Sequence, residues 1–581
     1  MKTLQDTVHG PQPVEGMPAV NWLTLGEGVT VNERAWTPQA GRVLSPDAVA
    51  FIARLHRALQ VDRRSLLAAR ATQQEAYDAG QLPAFLTGEE GAVARETEWK
   101  VGRLPEDLLR RRVEITGPIS DTKMVINMLS RTEDGNRADA AMLDFEDSMK
   151  PSWNNVLQGV ENLQGAVEGT LTYVKQGGGD QPEKRYTLDP ADMPLLMVRV
   201  RGLHLDESNL KVDDEPIAGG IMDLGLSAFY TMRKLINQGK TPKYYIPKCE
   251  HYLEARWWNR LFTLIEEALP GPYGSLKATF LIETLPAAFQ MEEILFEFKD
   301  HAAGLNGGRW DKIFSDIKVL KAHKDRVLAD RGSISMNRPW MKSYVLHLIR
   351  VCHKHGAFGM GGMAAFTPGS TKKRREEQTR KVVEDKEFEA SIGHDGCWVS
   401  HPYFIGPAMK PFTRKNQLDM LPDVPAHLDL LPKATPPKTM AGLRKNVRVG
   451  MAYVKGWNQD IGCVAWDDLM EDLATLEISR AQTWQWLHNR IVMDNGQTVT
   501  VALIQQVFDE ELEKILLSLP ELMKGMPAEA IDKEKERFLA AREDAEAIFT
   551  ETSFRPFLTN RSDLVGRSLI QRRARLRNPI E

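Results

Sequence analysis

The architecture of this chain can be worked out from one segment, Lys299-Asp-His-Ala-Ala-Gly-Leu-Asn-Gly-Gly-Arg-Trp-Asp311. The apolar run 302–305 within it predicts a buried strand. Upstream, the apolar run Ala278–Glu283 predicts another strand, and the pattern 285–298 predicts a helix between the two. Strand, helix and strand over about 30 residues make one βαβ unit. The glycines of the loop allow its backbone to approach a ligand closely.

Two carboxylates follow the strands of this unit. Glu283 ends the first strand, and Asp311 follows the loop after the second. In barrel enzymes, the catalytic residues lie at the carboxyl ends of the parallel strands. Two hard oxygen ligands suit Mg²⁺, which leaves its other positions to water and substrate. An alternative role for Glu283 is purely structural, as a carboxylate that the helix dipole stabilises at a helix N-terminus. An alternative for the loop is a turn that Asp311 caps while Trp310 packs in the core.

The rest of the central region repeats this pattern. Short apolar runs alternate with amphipathic helical patterns such as 121–129 and 252–268. Alternating β and α units favour a closed α/β barrel, the (β/α)₈ TIM barrel, over an open sheet. The eight candidate strands are 112–116, 140–145, 195–200, 244–247, 278–283, 302–305, 357–360 and 397–399.

Composition shifts divide the chain into five regions. We predict a mainly helical N-terminal region, a barrel with a β-hairpin insertion near 169–188, a Pro-rich linker, an all-α C-terminal domain and a basic tail. Ser45-Pro46-Asp47 is a typical helix start in the first region. The predicted boundaries are 1–110, 111–405, 406–440, 441–558 and 559–581.

Overall composition excludes several classes of protein. A net charge of −4 gives no field that attracts nucleic acid or an anionic membrane. Four scattered cysteines without a CxxC pair argue against a disulfide framework and a structural zinc site. The N-terminus has no apolar signal-peptide core, no apolar stretch is long enough to span a membrane, and the last three residues are not a peroxisomal signal. We therefore expect a cytoplasmic protein that binds neither nucleic acid nor membranes; its oligomeric state is not indicated.

Several motifs in a fixed order resemble the malate synthase family, isoform A. The resemblance covers roughly residues 111–558. Its motifs are Asp300-His-x-x-Gly-Leu-Asn-x-Gly-Arg-Trp-Asp311, Arg112-Val-Glu-Ile-Thr-Gly-Pro118, Asp144-Phe-Glu-Asp-Ser148, Val198-Arg-Val-Arg-Gly-Leu-His204, Met360-Gly-Gly-Met-Ala-Ala365 and Met470-Glu-Asp-x-Ala-Thr-x-Glu-Ile-Ser-Arg480.

The resemblance implies a fold and a reaction. It implies a barrel whose mouth is covered by a helical C-terminal domain. It also implies a Mg²⁺-dependent condensation of acetyl-CoA with glyoxylate, followed by thioester hydrolysis to malate and CoA, a step of the glyoxylate cycle. The predicted partners are therefore the small molecules glyoxylate and acetyl-CoA.

The resemblance also implies the roles of individual residues. Glu283 and Asp311 resemble the family's Mg²⁺ ligands, and the backbone of Gly308, Arg309 and Trp310 is expected to hold the substrate carboxylate. Arg199 resembles the catalytic arginine, which would stabilise an enolate oxygen. Strand alternation puts Arg201 on the same face as Arg199, so the pattern alone does not separate the two.

Asp472 resembles the catalytic base and lies near a predicted helix start. Asp468 with Glu471 three residues later resembles a capping box. An alternative for Asp472 is a first-turn carboxylate that interacts with the helix dipole.

Five further residues complete the predicted site. Asp144, Glu146 and Asp147, at the end of the second strand, are expected to surround the metal or to position Arg199. Pro368 is assigned to cofactor binding. Cys463 is expected to line the same barrel mouth without a catalytic role.

The sequence leaves two rival functions open. One is a related barrel lyase or thioesterase acting on malyl-CoA-type thioesters, and the other is an inactive binding scaffold. The presence of Asp472 argues against the lyase or thioesterase, because the condensation of acetyl-CoA with glyoxylate needs a base. The complete set of Arg199, Glu283, Asp311 and Asp472 argues against the second.

Overall fold

A computed structural model describes residues 20–177, 183–425 and 428–560. The N-terminal region holds a short strand pair and three helices: β1 Trp22–Gly26, β2 Val29–Asn32, α1 Pro38–Val43, α2 Pro46–Asp78 and α3 Ala92–Glu96. The start predicted for the long helix is confirmed, because Ser45 Oγ accepts the N–H of Ala48 as N-cap of α2. The strand pair was not part of the prediction.

The predicted barrel is confirmed. Eight parallel strands close on themselves in the order β10-β11-β12-β13-β14-β3-β4-β7. Their residues are mostly buried, which explains why they appear in the sequence as short continuous apolar runs. The strands are β3 Val113–Pro118, β4 Ala140–Asp144, β7 Leu195–Arg199, β10 Lys243–Ile246, β11 Lys277–Leu281, β12 Ala302–Asn306, β13 Phe358–Ala364 and β14 Gly396–Val399.

Helices surround the barrel, and several match the predicted bounds. One prediction was wrong: the pattern 285–298 forms two helices, because Gln290 leaves the helical conformation between them, at φ −133° and ψ 27°. The helices are α4 Thr122–Met128, α5 Trp153–Glu168, α6 Gly219–Asn237, α7 Tyr252–Ala268, α8 Leu285–Ala288, α9 Met291–Glu297, α10 Trp310–Val319, α11 Pro339–Lys354, α12 Lys372–Ile392 and α13 Ile405–Met409.

Two insertions interrupt the barrel. The predicted hairpin near 169–188 forms an antiparallel ribbon of β5 Thr172–Lys175 and β6 Lys184–Thr187, and residues 178–182 between them lie outside the described residues. A second insertion contributes β8 Asp206–Val212 and β9 Glu215–Ala218. These two strands join β1 and β2 in one antiparallel sheet, which ties the N-terminal region to the barrel wall.

The C-terminal domain has its own apolar core and is helical. Its elements are α14 Met440–Trp457, β15 Val464–Trp466, β16 Leu469–Glu471, α15 Leu473–His488, α16 Val501–Leu522 and α17 Ala528–Phe549. The β15–β16 hairpin was absent from the all-α prediction. The capping box predicted from Asp468 and Glu471 was wrong, because these residues belong to the hairpin and the helix starts after Asp472.

Between barrel and C-terminal domain, the described part of 410–439 contains no helix or strand. The first residues, where the sequence predicts no signal peptide, lie outside the described residues, as do the predicted basic tail from 561 on and the last three residues. Among the described helices, none is long and apolar enough to cross a lipid bilayer.

Candidate active site

A cavity of about 80 Å³ lies at the carboxyl ends of the barrel strands. Barrel residues and C-terminal residues line it together, which places the helical domain over the barrel mouth. The predicted residues on its wall are Arg199, Glu283, Gly308, Arg309, Trp310, Asp311, Cys463 and Asp472.

Glu283 and Asp311 reach this cavity from neighbouring strands. Glu283 stands just beyond β11, and Asp311 lies in the first turn of α10, which follows β12. Glu283 Oε1 accepts the backbone N–H of Lys248 at 2.9 Å. The loop passes close to Glu283 because Gly308 has no side chain: a Cβ there would lie 3.0 Å from Glu283 Cβ.

Lys248 was missed by the sequence reasoning, although it too follows a barrel strand. Its backbone has a φ of 52°, a left-handed conformation that is uncommon outside glycine. Its Nζ lies 2.7 Å from Asp147 Oδ2 and 3.3 Å from Glu146 Oε2. It also lies 3.3 Å from Asp311 Oδ1 and 3.9 Å from Glu283 Oε1. The strand-end rule applied to Glu283 would have found it.

Negative charge exceeds positive charge at this point of the barrel. Two cations, Arg199 and Lys248, share the carboxylates Asp144, Glu146, Asp147, Glu283 and Asp311 at ion-pair distances. Burial, and then the neighbouring Asp311 carboxylate, raises the pKa of Glu283 well above its ordinary value. Burial also raises the pKa of Asp311, to about 6. Each raised pKa indicates that nearby cations and hydrogen bonds do not fully offset the cost of burying the ionised carboxylate.

A divalent oxygen-loving cation fits this donor set. Asp311 Oδ1 is buried and accepts no hydrogen bond within the described residues. Two carboxylates with excess negative charge around them are the hard ligands that Mg²⁺ prefers. Among the described residues, no group of three or more His, Cys, Asp or Glu side chains is arranged so that it could hold a metal ion. The fit is therefore to an open site completed by water and substrate.

Arg199, the last residue of β7, is held rigidly. Its Nε and Nη2 donate to the two oxygens of Asp144 at 2.7 and 2.6 Å. Its Nη1 lies 3.4 Å from Asp147 Oδ2. Burial works to lower the pKa of Arg199, but the surrounding carboxylates outweigh it and raise the pKa well above the ordinary value. Arg199 therefore stays a fixed cation with one edge towards the cavity.

Arg201 is separated from Arg199 by the tertiary structure. It is buried, it donates to Asp223 at 2.8 Å and to Glu207 at 3.0 Å, and it is not among the residues that line the cavity. Alternation along the strand did not distinguish the two arginines, but their partners do.

Asp472 enters the cavity from the C-terminal domain as the N-cap of α15. Its Oδ1 accepts the N–H of Thr475 at 3.2 Å, and Thr475 Oγ1 accepts the N–H of Asp472 at 3.0 Å. The true capping box is therefore Asp472 with Thr475. Burial, and then the carboxylates Asp147 and Asp311, raises the pKa of Asp472 well above its ordinary value. The residue is thus both a helix cap and a carboxylate with a raised pKa on the cavity wall.

Packing between the two domains fixes this geometry. Helices α10 and α15, which begin next to Asp311 and Asp472, share an apolar cluster that includes Phe314 and Ile478. The backbone N–H of Leu473 donates to Asp147 O at 3.1 Å. The N-termini of two packed helices therefore face the same cavity, one from each domain.

The remaining predicted residues lie outside the cavity wall. Asp144, Glu146 and Asp147 lie behind it and contact Arg199 and Lys248, in keeping with the predicted supporting position. Pro368 lies in the loop between β13 and α12, and its assignment to cofactor binding stays a prediction.

Models of three protein domains match the chain. They are the malate synthase N-terminal domain over residues 27–90, the malate synthase TIM barrel domain over 195–431 and the malate synthase C-terminal domain over 437–562. Malate synthase A of Escherichia coli (strain K12) is 43% identical over 507 residues, which cover 85% of this chain and 92% of that protein. Malate synthase of Myxococcus xanthus (strain DK1622) is 41% identical, over 93% of this chain and 97% of that protein.

Two solved structures resemble the chain distantly. A lead(II) complex of Haloferax volcanii malate synthase is 14% identical, covers 76% of this chain and 99% of its own, and has a TM-score of 0.41. The citrate lyase beta subunit of M. tuberculosis, complexed with oxaloacetate and magnesium, is 15% identical over 53% of this chain and all of its own, with a TM-score of 0.31. At such scores these structures do not bear on the details of the site.

Proposed function

The chain belongs to the malate synthase family, and from this premise we propose how its barrel mouth performs the reaction. The enzyme is an acetyl-CoA:glyoxylate C-acetyltransferase: it joins the acetyl group of acetyl-CoA to glyoxylate, and water then hydrolyses the thioester to release malate and CoA. Glyoxylate and acetyl-CoA are its small-molecule substrates. The observation that carries the mechanism is the meeting of Arg199, Glu283, Asp311 and Asp472 around one cavity.

Glu283 and Asp311 would hold Mg²⁺. Asp311 Oδ1, which is buried and accepts no hydrogen bond within the described residues, and the excess of carboxylates over cations support this assignment. The bound ion would supply Lewis-acid polarisation of the glyoxylate aldehyde. The Lys248 ammonium lies closest to Asp147, at 2.7 Å, and its distances to Asp311 and Glu283 are longer, at 3.3 and 3.9 Å.

The start of α10 would bind the glyoxylate carboxylate. The first N–H groups of a helix have no intrahelical acceptor, and the helix dipole favours an anion there. In α10 these groups belong to Trp310, Asp311 and Lys312. The Arg309 guanidinium lies 4.4 Å from the Trp310 ring centre, and its Nη2 donates to Ile334 O at 2.8 Å. Both side chains are therefore held as a fixed wall beside the substrate.

Arg199 would receive the thioester carbonyl oxygen of acetyl-CoA. Asp144 occupies its Nε and Nη2, so its orientation needs no adjustment when negative charge appears on the enolate oxygen. A preorganised donor in a buried site stabilises such charge more strongly than water does.

Asp472 would take the proton from the acetyl methyl group. Its raised pKa makes it a stronger base than an ordinary carboxylate, which brings it closer to the working pH. The enolate carbon would then attack the aldehyde of glyoxylate, held next to Glu283 and Asp311 across the cavity from Asp472. The position of Asp472 in the cavity does not favour the lyase or thioesterase alternative, because condensation is the reaction that needs this base.

The function is tested by incubating the purified chain with acetyl-CoA, glyoxylate and Mg²⁺ while free thiol is measured. We expect thiol release that requires all three additions, with malate as the co-product. Thiol release without glyoxylate would indicate a thioesterase and contradict the proposal.

The metal ligands are tested by replacing each carboxylate with its amide. We expect Glu283→Gln and Asp311→Asn to abolish Mg²⁺-dependent glyoxylate binding in calorimetry, because the amide loses the negative charge that the ion requires. Asp300→Asn, before the opposite end of β12, is the matched control and should bind normally. Undiminished Mg²⁺-dependent binding in both variants would remove these residues from the metal site.

A further inference from the structure

The β15–β16 hairpin of the C-terminal domain pairs with the barrel through its backbone. Met470 N–H donates to Ala365 O at 2.7 Å, and Thr367 N–H donates to Asp468 O at 2.9 Å. Phe366 and Leu469 face each other in the antiparallel bridge between these bonds. Residues 365–367 thus pair with the hairpin through one isolated antiparallel bridge and its two hydrogen bonds, and we call this pairing of 365–367 with 468–470 the interdomain ladder.

The interdomain ladder ends two residues before Asp472. A strand advances about 3.3 Å per residue, and a one-residue slip moves every side chain to the opposite face. The register of Met470 on Ala365 therefore determines where Asp472 lies relative to the barrel residues that line the cavity.

The turn of the hairpin fixes the register of β15 on β16 and holds one end of the interdomain ladder, because Asp468 O accepts the N–H of Thr367. Asp467 and Asp468 have φ angles of 47° and 62°, and they join the paired residues Trp466 and Leu469. A two-residue turn with both central φ angles positive is type I′, which matches the twist of the strands it connects. Asp467 forms two hydrogen bonds with Arg448 of α14, at 2.8 and 3.0 Å. Asp468 forms an ion pair with Arg374 of the barrel helix α12. The turn is therefore anchored to both domains.

We propose that Asp468 is a positioning residue for the condensation, because its left-handed backbone holds the interdomain ladder in the register that places Asp472 in the cavity. This inference rests on the proposed role of Asp472 as the base. Asp468 does not itself line the cavity, so its effect on the reaction passes through Asp472.

The chain contains a matched control for this turn. Asp213 and Asp214 have φ angles of 50° and 65° and join β8 to β9 in the N-terminal sheet. Asp213 forms two hydrogen bonds with Arg57, at 2.7 and 2.8 Å, as Asp467 does with Arg448. The two turns share sequence and conformation, but only one of them leads to the cavity.

The experiment replaces the second aspartate of each turn. Valine disfavours positive φ, whereas asparagine tolerates it. In the full-length protein with Mg²⁺ and an unreactive glyoxylate analogue, exchange of the acetyl methyl hydrogens with deuterated solvent is measured beside acetyl-CoA affinity and thermal unfolding. The conditions are those under which the parent protein exchanges.

We expect Asp468→Val to slow methyl exchange by roughly tenfold to 10²-fold, because a misplacement of about 1 Å can have this effect. Acetyl-CoA affinity should stay within about threefold of the parent. Asp214→Val should lower the unfolding temperature comparably and leave exchange unchanged, and Asp468→Asn should retain exchange within about threefold. Parent-like exchange in Asp468→Val, or equal losses in the Val and Asn variants, would overturn the proposal.

Two further measurements keep the test decisive. If Asp468→Val does not fold, amide hydrogen exchange of the parent replaces it: protection of the Met470 and Thr367 amides supports the interdomain ladder, and rapid exchange overturns it. Asp472→Asn separates the inferences, because parent-like methyl exchange in that variant refutes the base itself. If methyl exchange is lost in Asp472→Asn but stays parent-like in Asp468→Val, only the positioning role of Asp468 is refuted.

Discussion

The barrel encloses two buried polar networks that differ in completeness. The lower one, towards the N-terminal ends of the strands, centres on Arg111. Its guanidinium donates to Glu114 at 2.7 Å, Thr279 at 3.0 Å and Tyr245 at 2.7 Å. The second oxygen of Glu114 accepts from Tyr245 and, at 3.0 Å, from Trp398. The network contains one cation, Arg111, and one carboxylate, Glu114, and both oxygens of that carboxylate accept hydrogen bonds.

The upper network at the barrel mouth is incomplete. Its carboxylates outnumber its cations, and the buried oxygens Glu146 Oε1 and Asp311 Oδ1 accept no hydrogen bond within the described residues. An unpaired buried charge costs free energy, which a purely structural network avoids. The comparison suggests that the lower network stabilises the barrel, while the upper one keeps its unfilled contacts for a metal ion and substrates.

The largest effect should follow removal of the base from the upper network. Asp472→Asn is expected to lower kcat by roughly 10²–10⁴-fold while the KM values change little, since only proton transfer is lost. Steady-state kinetics and exchange of the acetyl methyl hydrogens measure this. Asp213→Asn, in the remote turn, is the control. Methyl exchange as fast as in the parent would assign the base to another residue.

A somewhat smaller effect should follow a change of the cation. Arg199→Lys is expected to lower kcat by roughly 10²–10³-fold, because an ammonium cannot hold both oxygens of Asp144 and still present a fixed donor to the enolate. Arg201→Lys is the comparison variant and should mainly reduce thermal stability. Activity of Arg199→Lys within about threefold of the parent would mean that Arg199 does not carry the role.

The lower network should affect stability and leave catalysis alone. Glu114→Gln leaves the Arg111 charge buried without its partner, which should cost about 3–5 kcal/mol of unfolding free energy. Denaturant unfolding measures the loss, and kcat per folded molecule should stay near that of the parent. A large fall in kcat with unchanged stability would break the proposed division between the two networks.

The smallest effect concerns pH. Because burial raises the pKa of Asp311 to about 6, protons should compete with Mg²⁺ below that pH, and affinity should fall by up to about tenfold per unit. Without metal, the raised pKa means that the folded protein binds the Asp311 proton more tightly than the unfolded chain does. This contribution to the unfolding free energy is complete below about pH 4 and is lost as the pH rises through about 6. Calorimetric Mg²⁺ titration between pH 5 and 8 measures the first effect. Affinity independent of pH in this range would contradict it.

Local pattern was sufficient for much of the fold and part of the site. The apolar runs predicted the eight barrel strands, because strands buried on both faces need continuous apolar residues. The strand-end rule placed Glu283 and Asp311 together, because parallel strands bring their carboxyl ends to one edge. The family motifs identified the reaction, since they extend over most of the chain.

Other features were decided only by contacts between residues distant in sequence. Arg199 and Arg201 share one strand face by pattern, and Asp144 and Asp223 give them different environments. The hairpin before Asp472 pairs with the barrel loop at 365–367 through an antiparallel bridge, a partner that the acidic pattern of the segment does not reveal. Sequence alone determined the elements and the chemical groups, whose signals are periodicity and residue type. Tertiary structure determined which groups are buried, paired or left without a partner, because burial and charge balance depend on every segment that meets at the barrel mouth.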